Sequence, residues 1–370
     1  MGRGSCAHII CDGESREAAQ PATSSTSFNC STAILDTKEV QRRVKEGEQL
    51  VILDDVVYDL HSFMDDHPGG QQVLTEFIGE DISATFRGKG EGWHAHSVAA
   101  FSILKQLSVG RLNNGFSGLQ RNGEKREQSH SVGGTASCEL NPDRALVWQV
   151  GYLGERYDEW VHTPDMTSEP LRFFESDFLE FFSGTYWWVV PLVWMPVACA
   201  AIAAAMCSLQ PTSCGALFAL GALIWSLMEY SLHRVLFHHE PRTYWEITVH
   251  FLFHGCHHRR PMDRLRLVFP PAAALPFVLA VFFCYTTLLP RAAGLALFGG
   301  SLTGYVLYEC THYHVHHSQF LGYMGRLKST HLSHHYKDHT VSFGITSSFF
   351  DFLFNTLPRT EQLVTSKCIE

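Results

Sequence analysis

The sequence predicts a chain in two structural parts: a small α+β domain near the N-terminus, and an all-α integral membrane domain with four transmembrane helices in two hairpins and a cytosolic helical cap. Three observations carry this. Short helical and β-prone runs alternate between about Ile34 and Arg111. Charge is sparse from Gly184 to Leu232 and again from Val268 to Tyr308. Fifteen of the 22 histidines fall between His233 and His339, beside those apolar runs.

The length of 370 residues admits two or three domains. A net charge of −9 argues against a nucleic-acid partner. The eleven cysteines are odd in number and lack a C-x-x-C pair; several (Cys199, Cys207, Cys284) lie in apolar runs. They read as reduced thiols in a chain whose soluble parts face the cytosol. Residues 1–32 are polar, rich in Ser and Thr, and read as a disordered segment without a secretory signal.

The first domain is expected over 33–111. Asp36-Thr-Lys-Glu39 has the form of a helix start with an acidic first turn. Leu50–Leu53 and Val56–Tyr58 are β-prone runs about a turn at Asp54-Asp55. Then come Tyr58-Asp-Leu-His-Ser-Phe63, Asp66-His67-Pro68-Gly69-Gly70 and Trp93-His94-Ala95-His96-Ser97. On these motifs the segment resembles the cytochrome b5 family. The resemblance implies haem b with His67 and His96 as axial ligands, His94 being the alternative to His96. Two imidazoles give a six-coordinate haem that passes electrons and leaves no open position for dioxygen. The segment from Ile34 to Gly110 carries 13 acidic against 7 basic residues, a balance of −6. Such a surface suits docking of a basic reductase.

Residues 112–145 are polar, Gly/Ser-rich and aperiodic, and read as a flexible linker that keeps an electron donor near its acceptor. The membrane domain is expected over 146–370. Leu171–Phe182 reads as an aromatic segment at the interface, followed by a headgroup belt at Trp187 and Trp188. Thr185–Leu209 with Cys214–Leu232, and Val268–Pro290 with Ala292–Tyr308, read as two membrane hairpins. Prolines 191, 196, 270, 271 and 276 are expected to kink these helices. Four crossings return the chain to its starting side. Six Lys/Arg lie between His233 and Leu267, whereas the hairpin tips carry only Arg291. The positive-inside rule therefore puts the histidines and both termini in the cytosol.

The histidines repeat in helical register: His233 and His238, then His254-Gly-Cys-His257-His258, then His312-Tyr-His-Val-His316, then His331-Leu-Ser-His334-His335. Residues at i, i+3 and i+4 project from one helix face, so H-x-x-H-H is expected to point three imidazoles the same way. Imidazole is the commonest protein ligand of transition metals. Ten histidines exceed what one ion takes and suit a pair. His233 and His238 fit awkwardly, since five residues turn about 140° on a regular helix; both reach one site only if the helix ends or bulges there. A zinc hydrolase is disfavoured because H-E-x-x-H is absent. A carboxylate di-iron bundle matches only once, at Glu309–His312. Glu229 and Glu309 are read as partners orienting His233 and His312. His250 is a substitute ligand or a supporting residue; His239, His314, His317 and His339 are read as bystanders. A redox metal is favoured over zinc because a haem donor would be pointless beside a redox-inert ion.

The run from Trp160 to Asn355 resembles the fatty acid hydroxylase/sterol desaturase superfamily. The residues that carry this are Glu229 to His238, His254-Gly-Cys-His-His-Arg-Arg-Pro-Met-Asp263, Arg266 to Pro271, Thr311-His-Tyr-His-Val-His-His317, His331-Leu-Ser-His-His-Tyr336 and Phe343-Gly-Ile-Thr-Ser347. With the fused cytochrome b5-like segment it looks like the fatty acid 2-hydroxylase branch. That resemblance implies an O2-dependent monooxygenase of the endoplasmic reticulum membrane. It would hydroxylate the C2 carbon of long or very-long-chain fatty acids or of the acyl chain of ceramide. Electrons would come from an NAD(P)H-dependent cytochrome b5 or P450 reductase through the haem to two metal ions, iron in the active form with zinc possible on purification. Carried over residue by residue, the metal ligands are His233, His238, His254, His257, His258, His312, His316, His331, His334 and His335. The competing expectations are a desaturase or sterol C–H oxidase of the same superfamily and, from another class, a non-catalytic membrane protein holding haem and zinc. Phe251, Phe253, Phe269, Phe343, Phe349 and Phe350 are available to line an acyl tunnel, with Arg259, Arg260 and Lys337 near the substrate head.

Overall fold

A computed structural model describes residues 33–89, 95–113, 140–141, 144–320 and 322–358. The N-terminal segment 1–32, most of the expected linker and the alternative haem ligand His94 lie outside them.

Four short strands, β1 (Ile34–Leu35), β2 (Leu50–Leu53), β3 (Val56–Asp59) and β4 (Ser108–Leu112), form one sheet in the order β1-β4-β3-β2. Only β1 and β4 run parallel. The β2–β3 turn uses Asp54 and Asp55, both at positive φ (52° and 64°), as a tight hairpin requires. Helix α1 (Thr37–Lys45) begins where expected: the Asp36 carboxylate accepts from the Glu39 amide at 2.7 Å. Helices α2 (Gln71–Thr75), α3 (Ser83–Phe86) and α4 (Val98–Gln106) complete the domain around a core of Val51, Leu53, Leu60, Met64, Phe86 and Leu104.

The second part opens with short helices α5 (Val147–Val150), α6 (Tyr157–Val161) and α7 (Asp177–Ser183). Helix α7 leaves Phe178 and Phe181 more than two-thirds exposed (71% and 78%), the behaviour of a segment that meets an apolar phase. Helix α8 (Val189–Met206) and helix α9 (Pro211–Ser231) follow, and α9 continues as a π-helix over Leu232–Phe237. Helix α10 (Tyr244–His250) likewise runs through a π-helix, Phe251–Gly255, into α11 (Cys256–Arg259). Then come α12 (Pro271–Leu288), α13 (Arg291–His317), α14 (Gly322–Tyr336) and α15 (Phe349–Leu353).

Among the described residues three helices are long and apolar enough to cross a membrane: Val189–Met206, Pro211–Phe237 and Pro271–Leu288, with mean hydropathies of 2.1, 1.5 and 1.8. The fourth expected span is α13, which is long at 27 residues but is built of small and polar residues and sits inside the others. The packing is close enough to demand glycine: a Cβ on Gly300 would lie 2.0 Å from the Phe218 carbonyl oxygen, and one on Gly221 2.1 Å from that of Leu297. Of the five prolines expected to kink helices, only Pro196 and Pro276 fall in helix interiors. Pro270 and Pro271 start α12, and Pro191 lies in the first turn of α8, where the missing N–H costs nothing.

The two parts are docked on each other. Lys328 on α14 forms a buried ion pair with Asp66 at 3.2 Å, and Gln319 donates to Asp65 at 2.7 Å. The Ser329 hydroxyl donates to the Pro68 carbonyl, and the Ser97 hydroxyl to the Tyr336 carbonyl, each at 2.6 Å. Ile103 packs with Leu332 and Tyr336 in one apolar cluster.

Candidate haem and metal centres

In the first domain His67 and His96 face each other with ring centroids 6.5 Å apart and planes 25° from parallel. An ion that takes each imidazole nitrogen at about 2 Å needs facing ring centres roughly 6 Å apart, so the gap fits one metal between them. His67 Nδ1–H donates to the Gly70 carbonyl (3.2 Å) and His96 Nδ1–H to the Phe86 carbonyl (3.1 Å), which puts each ring proton on Nδ1 and makes Nε2 the nitrogen suited to ligation. The cavity between them measures about 490 Å³ and is lined by Leu60, Phe63, Val73, Phe77, Phe86 and Leu104. A Cβ on Gly69 would press on the His67 ring at 2.9 Å, which is the local reason for glycine after His67-Pro68. The residues fit a bis-imidazole haem. Burial also draws His96 below the usual imidazole range, keeping it in the neutral, ligating form.

The ten expected histidines of the second domain gather into two groups of five. His233, His238, His254, His258 and His334 form one; His257, His312, His316, His331 and His335 form the other. Within the first, Nε2···Nε2 separations are 3.2 Å for His233–His254 and for His254–His238, and 2.9 Å for His254–His258. Within the second they are 2.9 Å for His257–His312, 2.8 Å for His316–His331 and 3.1 Å for His331–His335. Imidazole nitrogens bound at right angles about 2.1 Å from one ion lie about 3 Å apart, so both groups have the spacing of a coordination shell. His233 Nδ1–H donates to the Phe343 carbonyl and His334 Nδ1–H to that of Val341, each at 2.6 Å. Among the described residues the buried His334 Nε2 then has no hydrogen-bond partner, as a ligand atom would. Burial, followed by the neighbouring rings, holds His254, His257, His258, His331 and His335 well below the ordinary range and hence neutral.

One expectation changes. H-x-x-H-H does not point three rings at one place. His254 and His258 enter the first group and His257 the second; His331 and His335 enter the second and His334 the first. Positions i+3 and i+4 lie about 100° apart around a helix, enough to serve adjacent ions. The awkward His233–His238 pair is resolved by the π-helix Leu232–Phe237, in which the His238 amide donates to the His233 carbonyl (3.1 Å) and the two rings stand 5.0 Å apart.

The supporting residues differ more. Glu229 does not orient His233; it accepts from the amides of Ile345 and Thr346, each at 2.8 Å, and from the Thr346 hydroxyl. Glu309 accepts from the Phe269 amide (3.0 Å) and does not hold His312. His250 is a support: it donates through Nε2 to the Phe237 carbonyl (2.7 Å) and accepts from the Tyr157 hydroxyl (2.7 Å). Asp351 escaped the sequence reading. Buried, it accepts from the amides of Phe343 and Gly344 at 2.8 Å and from the Thr356 hydroxyl at 2.7 Å, fixing the loop whose carbonyl orients His233. Its only signal was a lone carboxylate in the apolar run Phe349–Leu353. His162 and His339 were also passed over as a pair. With Asp158 they form a third cluster of donor atoms, but their rings stack face to face at 3.8 Å, so their lone pairs run parallel and do not converge. Arg259 and Arg260 are engaged with Thr163, Asp165 and Glu169, and Lys337 lines the haem cavity, so none of the three stands at the acyl cavity.

That cavity, about 300 Å³, runs between α9, α12 and α13 and ends on His254, His257 and His312, touching both histidine groups. Of the six phenylalanines expected to line it, Phe253 and Phe269 do. Phe251 belongs to the core around Tyr157, Phe343 and Phe350 pack on Tyr230, and Phe349 is exposed.

The family model for fatty acid hydroxylase matches residues 218–356, and that for the cytochrome b5-like haem/steroid binding domain matches residues 36–113. The chain is 37% identical over 359 residues to the fatty acid 2-hydroxylase of Homo sapiens, covering 88% of this chain and 95% of that one. It is 46% identical over 222 residues to the dihydroceramide fatty acyl 2-hydroxylase FAH1 of Arabidopsis thaliana, covering 59% of this chain and 93% of that one. The solved structure of full-length scs7p, in which only the hydroxylase domain is visible, superposes with a TM-score of 0.56 at 37% identity, covering 60% of this chain and 86% of that one. The similarity runs along nearly the whole length of these relatives and spans the residues that build the two five-histidine groups, and the chain belongs to the fatty acid hydroxylase family.

Proposed function

We propose that this chain is a membrane-bound, O2-dependent monooxygenase that hydroxylates C2 of a long or very-long-chain fatty acid or of the acyl chain of ceramide. The observation that carries this is an apolar cavity of about 300 Å³ that reaches both five-histidine groups. An alkyl chain there lies beside a pair of metal ions and away from water. The relatives are themselves named for 2-hydroxylation of fatty acid or ceramide chains.

In this reading His67 and His96 hold haem b, and the ten histidines of the two groups hold two metal ions. When bound, that pair supplies reduction of O2 and oxidation of the substrate C–H bond. The protein's own residues do the rest. The Phe343 and Val341 carbonyls orient His233 and His334, and Asp351 and Glu229 hold the loop from Phe343 to Thr346. Phe253, Phe269, Leu232, Leu236 and Val281 hold the tail and exclude water. Imidazole-only ligation leaves the ions strongly Lewis acidic, and a haem donor on the same chain favours iron as the working metal. The haem domain occupies 33–111, the linker 112–145 and the hydroxylase domain 146–370. Helix α13 is the fourth, innermost crossing, so both termini and the histidine layer face the cytosol of the endoplasmic reticulum. There an NAD(P)H-dependent cytochrome b5 or P450 reductase supplies electrons.

The test is lipid analysis of cells expressing the chain alongside His67→Ala and His257→Ala. 2-Hydroxy sphingolipids should accumulate with the parent and with neither variant. New double bonds in their place would assign a desaturase. Product formed equally by both variants would refute the assigned centres.

A further inference from the structure

Tyr336 ends α14 immediately after His335, and its side chain crosses from the histidine layer to the haem cavity, which it helps to line. It is 3% exposed, and among the described residues its hydroxyl has no hydrogen-bond partner. The ring is therefore placed by ring contacts. The Tyr336 ring lies 6.0 Å from His335 on one side and 6.0 Å from Phe63 on the other; Phe63 lies 6.2 Å from His67. His67, Phe63, Tyr336 and His335 thus form one file of rings from an axial seat of the haem cavity to the second histidine group. Polar contacts brace the file where it crosses between domains: Asp66–Lys328, Asp65–Gln319 and Pro68–Ser329 beside His67, and Ser97–Tyr336 beside His96. Asp66 and Lys328 are both buried, and such a pair is costly to break from one side only, which fixes the register of the two faces.

We propose that Phe63 and Tyr336 are the bridge by which electrons pass, within one chain and in this docked arrangement, from haem at His67 to the metal seat of His257, His312, His316, His331 and His335. The proposal rests on the function argued above. Electron tunnelling decays steeply across gaps and more slowly through packed atoms, so a file of touching rings is favoured over a route through solvent. Each crossing oxidises the haem by one electron and reduces the metal seat by one. Two crossings, with two protons and one O2, balance insertion of one oxygen atom into a C–H bond and release of one water, the electrons coming from an NAD(P)H-dependent flavin reductase.

The test uses the full chain loaded with haem and metal, reduced without oxygen and then mixed with O2 and lipid substrate while haem absorbance is followed. Tyr336→Leu and, as a second variant, Phe63→Leu should slow haem reoxidation by roughly tenfold or more, the equivalent of about 1.4 kcal/mol of barrier. Tyr336→Phe should restore the parent rate. Haem spectrum, midpoint potential and metal content should stay at parent values in all three, which a merely structural role would not predict. Separately, Asp65→Cys with Gln319→Cys should form an intrachain disulfide that neither single variant forms, and the locked chain should reoxidise its haem at the unlocked rate. Absence of that disulfide, a locked chain whose haem stays reduced, or leucine variants at parent rates would overturn the bridge. If 2-hydroxy product still forms while the leucine variants are unaffected, only the bridge fails. If no hydroxy lipid forms although reoxidation depends on Tyr336, only the lipid reading fails.

Discussion

The rings of His233 and His238, five positions apart in the chain, stand 5.0 Å from each other because the chain from Leu232 to Phe237 winds as a π-helix. That turn is held from outside. His250 donates to the Phe237 carbonyl and is itself fixed by the Tyr157 hydroxyl. A wider turn is seldom stable unless its surroundings support it, and here the support comes from helix α10 and from Tyr157 on α6.

Acid should test that support. Burial, the largest influence, takes His250 down from 6.5 to about 4, against the pull of the Phe237 carbonyl. The unfolded chain then binds a proton that the folded chain refuses between pH 6.5 and about 4, so stability falls as pH drops through that window. His250→Gln keeps a donor and an acceptor but does not titrate. Unfolding measured against pH should show a shallower acid slope in this variant, by up to about 1.4 kcal/mol per pH unit.

Asp351 should matter more than its distance from the metal seats implies. Asp351→Asn keeps the shape but turns one of the two acceptor oxygens, which serve Phe343 and Gly344 separately, into an N–H₂ that faces an N–H donor, at a cost of about 1–3 kcal/mol. Freed, the Phe343 carbonyl no longer orients His233. Metal analysis should find the first group depleted and the second retained, with a lowered melting temperature.

Helix packing in the apolar layer can be separated from helix propensity. Gly300→Ala forces a Cβ against the Phe218 backbone and should destabilise by roughly 1–3 kcal/mol through overpacking. Gly215→Ala, where a Cβ meets open space, should stay within about 1 kcal/mol of the parent. Thermal unfolding in detergent distinguishes them; equal effects would contradict the close α9–α13 contact.

Ala280 lines the acyl cavity from α12. Ala280→Trp should occupy part of its roughly 300 Å³ and shift 2-hydroxy products toward shorter acyl chains, with metal content unchanged. Lipid profiling at matched expression reads this directly. An unaltered chain-length distribution would place the tail elsewhere.

Much of the site was legible in advance because ligation needs particular side chains at particular intervals. Asp66-His67-Pro68-Gly69-Gly70 with His96, and the four histidine pairs and triplets, are recognisable without coordinates. The supporting carboxylates were not. Glu229 and Glu309 sit one turn from ligands, and helical proximity suggested direct contact. Their oxygens instead answer unpaired amides of distant loops, at Ile345–Thr346 and at Phe269, which no local interval encodes. The phenylalanines of the acyl cavity were equally hard to choose, because an aromatic ring serves a core, a membrane face or a pocket with the same chemistry.

The two-part architecture, the facing of His67 and His96, the gathering of ten histidines and three of the four expected apolar helices were readable from composition or from spacing along one element. The division of each H-x-x-H-H run between two groups, the π-helix that lets His233 and His238 converge, and the placing of His335 on one side of α14 with Tyr336 toward the haem cavity emerge from packing between elements. Those outcomes depend on which helix faces which, and that is set by close packing among elements far apart in the chain.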